Sequence, residues 1–257
     1  MPSVAAGPAA PESTIPAQRT DAIAVMRHLQ DLQQVAQRNA DVVFLGDSIT
    51  DFWGDETRPG AGHKVWMRSI APLDAVNFGV SGDLTQHVLW RIADGELADR
   101  PRVVVLEIGT NNLGSGDSVD ETIAGIEAVV AAVRKASPRS QILLMGILPR
   151  GGGITDPLTQ QAYAVNASIA ELADGFRIRY LDIGSAFLNP DGTVSQALLP
   201  DGLHPSEEGY EVWADAIARP LRRMLARAGV PVRPIPGRDS DSANQGPRHR
   251  PRADPSS

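Results

Sequence analysis

Five short apolar runs punctuate the chain: VVFLG at 42–46, AVNFG at 75–79, VVVLEIG at 103–109, QILLMGIL at 141–148 and IRYLDI at 178–183. Each is continuous and rich in β-branched residues rather than alternating with polar ones, the pattern of a strand covered on both faces. The segments around them are longer and mixed, and they predict helices over 21–38, 85–93, 119–136, 158–173 and 206–228. Within 119–136, Ile123, Ile126, Val129, Val130 and Val133 fall on one helical stripe that can lie on a sheet. Strands alternating with helices imply right-handed βαβ crossovers. The expected class is therefore α/β, a mostly parallel sheet between layers of helices.

In such sheets function gathers just past the carboxyl ends of the strands. Asp47-Ser48 follows the first run, Val80-Ser81-Gly82-Asp83 the second and Thr110-Asn111-Asn112 the third, while Asp201-Gly202-Leu203-His204 precedes the last helix. A serine hydroxyl becomes a useful nucleophile when an imidazole takes its proton and a carboxylate fixes the imidazole tautomer. Among the five His, His249 lies in the basic tail, His28 on the leading helix and His63 in a Gly-rich loop with no carboxylate immediately beside it. His204 follows Asp201 by three residues, a spacing at which a turn returns the Asp side chain to Nδ1. Ser48, His204 and Asp201 are thus the candidate catalytic residues. Donors for a developing oxyanion are the Ser48 N–H, the N–H of Gly82, which lacks a Cβ, and the Asn111 side-chain amide.

Structural readings of the same residues exist. Asp47 and Ser48 also suit a helix cap, and Asn111-Asn112 a turn; both coexist with catalysis. His87, in the first turns of a helix, reads as packing or rim hydrogen bonding. No His or carboxylate cluster shows ligand spacing, so no metal site is expected, and the chemistry requires no organic cofactor.

Composition narrows the partners. With 257 residues, 42% hydrophobic and 21% charged, the chain can bury a sizeable single core. A net charge of -7 argues against a nucleic-acid surface. No apolar run approaches the ~18 to 20 residues of a membrane span, and residues 1–18 show neither a basic n-region nor an apolar h-region, so a soluble chain is expected. The absence of Cys excludes disulfides and thiolate chemistry but leaves the compartment open, cytoplasmic or secreted. Residues 1–19 and 230–257 are rich in Pro and polar residues and read as disordered ends flanking one domain at 20–229.

GDSIT around Ser48, the Gly82 loop, GTNN from Gly109 and DGLH before the last helix resemble, in order, the four blocks of the SGNH or GDSL hydrolases. NFGVSGDLTQHVLWRI, ADGEL, GTNNLG, ILPRG and PDGLHPSEEGYEVWA further resemble the branch containing the catalytic subunits of platelet-activating-factor acetylhydrolase and bacterial relatives. The resemblance implies a flavodoxin-like three-layer fold with strand order 2-1-3-4-5. It also implies Ser48 as nucleophile, His204 as general base and acid, Asp201 as its orienter, and Ser48, Gly82 and Asn111 as the oxyanion hole. The implied activity is hydrolysis of acetyl or short-chain acyl esters, with a carbohydrate, lipid-like or aryl alcohol left open, and the implied assembly includes a homodimer. Asp47, Trp53, Ser81 and Leu203 are the expected substrate contacts, with core or interface packing an equal reading for Trp53. Ser81 stands where the acetylhydrolase subunits have a second glycine, and the segment 52–66 is longer than theirs. The competing readings are a thioesterase or lysophospholipase of the same fold, a flavodoxin-like binding module, and a scaffold partner.

Overall fold

The computed structural model describes residues 9–231. A five-stranded sheet runs through its centre: β1 (Val42–Gly46), β2 (Ala75–Gly79), β3 (Val103–Glu107), β4 (Gln141–Met145) and β5 (Ile178–Leu181). All neighbours pair in parallel, in the order β2-β1-β3-β4-β5. β1 lies between β2 and β3, so the segments leaving β1, β2 and β3 emerge side by side.

Strand burial follows the period of two. Val42, Phe44, Val103, Val105, Leu143 and Met145 face one core, which Trp53, Tyr210, Trp213, Ile217 and Leu221 complete. Val43, Leu45, Phe78, Val104, Leu106, Ile142 and Leu144 face the other. The first core is covered mainly by α8 (Glu207–Arg227) and the second by α4 (Thr85–Ala93), α6 (Val119–Ala136) and α7 (Pro157–Ile169). Burial on both faces is why each strand reads as a continuous apolar run. The α6 stripe behaves as its spacing predicts: Ile126, Val129, Val130 and Val133 are buried on the sheet and Ile123 packs at its edge. Ser118 opens α6 with a reciprocal capping box with Glu121.

Four further helices complete the order: α1 (Ala22–Gln37) before β1, and three short ones, α2 (Ser48–Gly54) and α3 (His63–Val65) after it and α5 (Thr110–Ser115) after β3. Only α1 has the long amphipathic pattern that sequence periodicity detects.

The N-terminal expectation needs correction. Residues 9–19, expected to be unpacked, lie against α4 and α6. Ser13 is buried, its hydroxyl donating to Glu121 O at 2.6 Å and its carbonyl accepting from Thr85 Oγ1 at 2.8 Å, while Ala17 N–H donates to Gln86 O at 3.0 Å. Composition averages over a segment, whereas this one is fixed by a few backbone and hydroxyl hydrogen bonds to helix ends. Val230 N–H donates to Leu225 O and its side chain packs against the α8 core; the rest of the expected tail, from 232, lies outside the described residues, as does 1–8.

Candidate active site

The turn from β1 into α2 depends on Gly46. A Cβ there would stand 2.2 Å from Thr50 Oγ1 and 2.4 Å from Glu107 O, so a side chain would force α2 away from the strand ends. Asp47 Oδ1 then accepts the Ile49 N–H at 2.9 Å, capping α2. Ser48 follows as the first residue of the helix.

Ser48 Oγ lies 2.9 Å from His204 Nε2, and His204 Nδ1 lies 2.7 Å from Asp201 Oδ2. Asp201 Oδ1 accepts the backbone N–H groups of Leu203 at 3.0 Å and His204 at 2.7 Å, so one carboxylate shapes the turn and holds the ring. Partial burial pushes the Asp201 carboxyl up, but the donors from His204 and Leu203 outweigh it and hold the group below its usual range. Residues 156 positions apart in the chain meet here.

On the other side of Ser48, Gly82 adopts φ +82°, a conformation glycine takes without strain. Its loop is held from several directions. Arg19 Nη1 donates to Ser81 O at 2.5 Å and to Asp83 Oδ1 at 3.1 Å; Arg91 Nε donates to Asp83 Oδ2 at 2.8 Å. Ser81 Oγ donates to Asp51 Oδ2 at 2.6 Å, and Asn111 Nδ2 donates to Asp83 O at 3.0 Å. One N–H of the Asn111 amide therefore ties the third block to the second. Asn112 is buried and structural, with Oδ1 accepting from Thr85 N–H at 3.0 Å.

Two expected substrate contacts are corrected. Trp53 is fully buried, among Phe44, Trp66, Tyr210 and Trp213, because α2 turns that side toward the first core. Asp47 is also fully buried beneath the turn. Burial pushes its carboxyl up to about 7, with the Asp83 charge adding to the rise and the Ile49 N–H and Arg150 opposing it. Ser81 and Leu203 remain partly exposed beside the Ser48–His204 pair.

Sequence reasoning missed four groups. Arg19 comes from a segment whose composition resembles linker. Glu107, inside an apolar run, is buried at the end of β3 with both carboxyl oxygens unpartnered; burial and the neighbouring Asp47 push it well above the usual carboxylate range. Arg150, in ILPRG, donates to Thr110 O at 3.0 Å. Phe52 lies 4.7 Å from the His204 ring, centroid to centroid. The other described histidines have structural partners: His28 contacts Glu96 and Asp94, His63 Nδ1 donates to Gly54 O, and His87 Nδ1 accepts from Leu84 N–H. Among the described residues, no cluster of His, Asp or Glu could hold a metal ion, and no helix is long and apolar enough to cross a membrane.

The model of the GDSL-like lipase/acylhydrolase family matches residues 44–212, which span β1 to α8 and every block just described. The chain belongs to this family. Human platelet-activating factor acetylhydrolase IB subunit alpha1 is 37% identical to this acylhydrolase-family chain over 192 residues, covering 74% of it and 79% of the human protein. Among solved structures, a GDSL-like lipase from Bacteroides thetaiotaomicron superposes with a TM-score of 0.65 at 20% identity, covering 77% of this chain and 98% of the lipase. A catalytic mutant of Axe2, an acetylxylan esterase from Geobacillus stearothermophilus, gives 0.54 at 21% identity, covering 75% and 96%. These two likenesses concern the fold. Family membership and the acetylhydrolase relatives together support a hydrolase.

Proposed function

We propose that the protein is a serine esterase of the SGNH type, acting on acetyl and other short-chain acyl esters through an acyl-enzyme. The observation that carries this reading is the Ser48–His204–Asp201 relay, with contacts of 2.9 Å and 2.7 Å. With Nδ1–H donated to the Asp201 carboxylate, Nε2 presents its lone pair to the Ser48 hydroxyl. As Ser48 Oγ bonds to the ester carbonyl carbon, its proton passes to His204 Nε2 and the carbonyl π pair moves onto oxygen. The Ser48 and Gly82 N–H groups and the second N–H of Asn111 Nδ2 stabilise that oxyanion, an effect worth about 10² to 10³ in rate per donor. When the oxyanion collapses, the alcohol leaves with the proton from His204. Water then repeats the sequence on the acyl-enzyme, releasing the acid and restoring Ser48.

The acetyl preference rests on what relatives are named for, an acetylhydrolase and an acetylxylan esterase. Trp53, a large ring that would have walled an acyl channel, is instead core, so Leu203 and Ser81 are the nearer candidates for that wall. A p-nitrophenyl ester series from acetate to octanoate tests this directly. Acetate should give the highest kcat/KM, with a steady fall beyond butyrate; a rise toward octanoate would replace the acetylesterase reading with a lysophospholipase-like one.

A further inference from the structure

The segment 55–62, which joins α2 to α3, is folded back and pinned. Gly62 N–H donates to Phe52 O at 3.3 Å, Ala61 N–H to Arg58 O at 3.2 Å, and Glu207 N–H at the start of α8 to Gly60 O at 2.9 Å. Thr57 closes on Asp55, with its N–H and hydroxyl both donating to Asp55 Oδ1. This arrangement lays the Arg58 guanidinium on the Phe52 ring, Cζ 3.6 Å from the centroid, and the same ring contacts His204 at 4.7 Å. The guanidinium is thus no farther from the imidazole than those two contacts laid end to end.

Arg58 differs from the other cations around this rim, of which Arg150 donates to Thr110 and the rest are ion-paired. Arg19, Arg27 and Arg91 are paired with Asp83, Asp51 and Glu96, and Lys64 with Glu207. Among the described residues the Arg58 guanidinium makes no ion pair and no hydrogen bond, and the residue is exposed. Asp55, in the same segment, accepts from Thr57; partial burial pushes its carboxyl up, but these donors, with a smaller contribution from the Arg58 charge, hold it below the usual range. The five N–H donors of a guanidinium held against a ring are preorganised for a planar or tetrahedral anion. In a chain of net charge -7, a guanidinium beside the base with no ion-pair contact of its own is a selective feature for ligands.

The side of the site follows from the chemistry. On the proposed esterase mechanism, on which this inference rests, His204 hands its proton to the leaving alcohol, so the group that reaches past His204 toward Arg58 is the alcohol. We infer that Arg58 determines specificity and that the preferred substrates are short-chain acyl esters whose alcohol carries an anionic oxygen group, phosphate or carboxylate, a few bonds from the ester oxygen. Phe52 is the positioning residue that carries the guanidinium to this place.

The test uses matched pairs of acetate esters on the full chain: 3-acetoxypropyl phosphate against 3-acetoxypropanol, and 4-acetoxybenzoate against 4-acetoxybenzamide. The ratio of kcat/KM, anionic to neutral, is read for the wild type and Arg58→Gln at low and high salt. The wild type should favour the anion by about two- to fivefold at low salt, the scale of one solvent-exposed charge contact, with KM carrying most of the difference and salt eroding it. Arg58→Gln should bring the ratio to about one. Preference in one pair alone identifies the group, phosphate or carboxylate, and supports the inference. Wild-type hydrolysis of the neutral esters with no anionic preference, or a preference that survives Arg58→Gln, overturns the inference while leaving the esterase reading intact. No turnover of any of the four esters or of p-nitrophenyl acetate overturns both.

Discussion

Replacing Glu107 by Gln should change how stability depends on pH, because the native carboxyl is buried at the end of β3 with both oxygens unpartnered, behind the buried Asp47. Burial raises Glu107 well above its usual range, with the Asp47 charge adding to the rise, and raises Asp47 to about 7. A raised folded-state pKa means that the folded chain keeps a proton the unfolded chain has released. The stabilising contribution is therefore complete below the unfolded carboxylate range near pH 4 and is lost as pH rises toward the folded value. Each retained proton contributes a slope of about -1.4 kcal/mol per pH unit, so two protonated carboxyls give a slope of about -2.7 kcal/mol per pH unit between pH 5 and 6.5. Glu107→Gln keeps the shape and cannot ionise, so it removes one slope. Equilibrium urea unfolding at pH 5.0, 5.75 and 6.5 should show the variant gaining on the wild type by about 1.4 kcal/mol per pH unit. The fixed offset between the two proteins, which includes the buried amide, does not enter that slope. A stability difference independent of pH would refute the reasoning, since it would mean that Glu107 is ionised in the folded protein.

Asp201→Asn should lower kcat on p-nitrophenyl acetate by about 10³ to 10⁴, because the amide donates toward Nδ1 and favours the wrong imidazole tautomer; stopped assays of the purified variant give the value. Arg19→Ala should lower kcat about tenfold with little change in KM, since it frees the Ser81 carbonyl and Asp83 and lets the Gly82 loop drift, a displacement known to reduce rates by up to ~10². Trp53→Ala should destabilise the fold by about 3 to 5 kcal/mol, measured by denaturant unfolding, as expected for a core ring rather than a substrate contact.

What could be read from sequence follows from range. Strands covered on both faces leave an apolar run that needs no partner to be recognised, so β1 to β5 and the long helices are legible one at a time. Strand order is a relation between runs and has no local signature; it came from resemblance. The Asp201–His204 turn is local and visible, whereas its contact with Ser48 spans the chain and becomes visible only because both lie past strand ends. Trp53 was misjudged because α2 has only seven residues, too few for a periodic pattern to tell its inner face from its outer one. Arg19 was hidden in a segment rich in Pro and Ala, and Glu107 in a run whose neighbours are all strand formers. In both cases the informative quantity is burial or a tertiary partner, which one residue letter does not carry.

The central claim is that Ser48 is an activated nucleophile served by His204. Its most direct measurement is intact mass after exposure to a p-nitrophenyl phosphonate, with peptide mapping, on the wild type, Ser48→Ala and His204→Ala, alongside p-nitrophenyl acetate turnover. One adduct on the peptide carrying Ser48, none on Ser48→Ala, much slower labelling of His204→Ala and loss of turnover in both variants is the predicted result. Labelling elsewhere at the wild-type rate, or undiminished turnover by a folded Ser48→Ala protein, would contradict it.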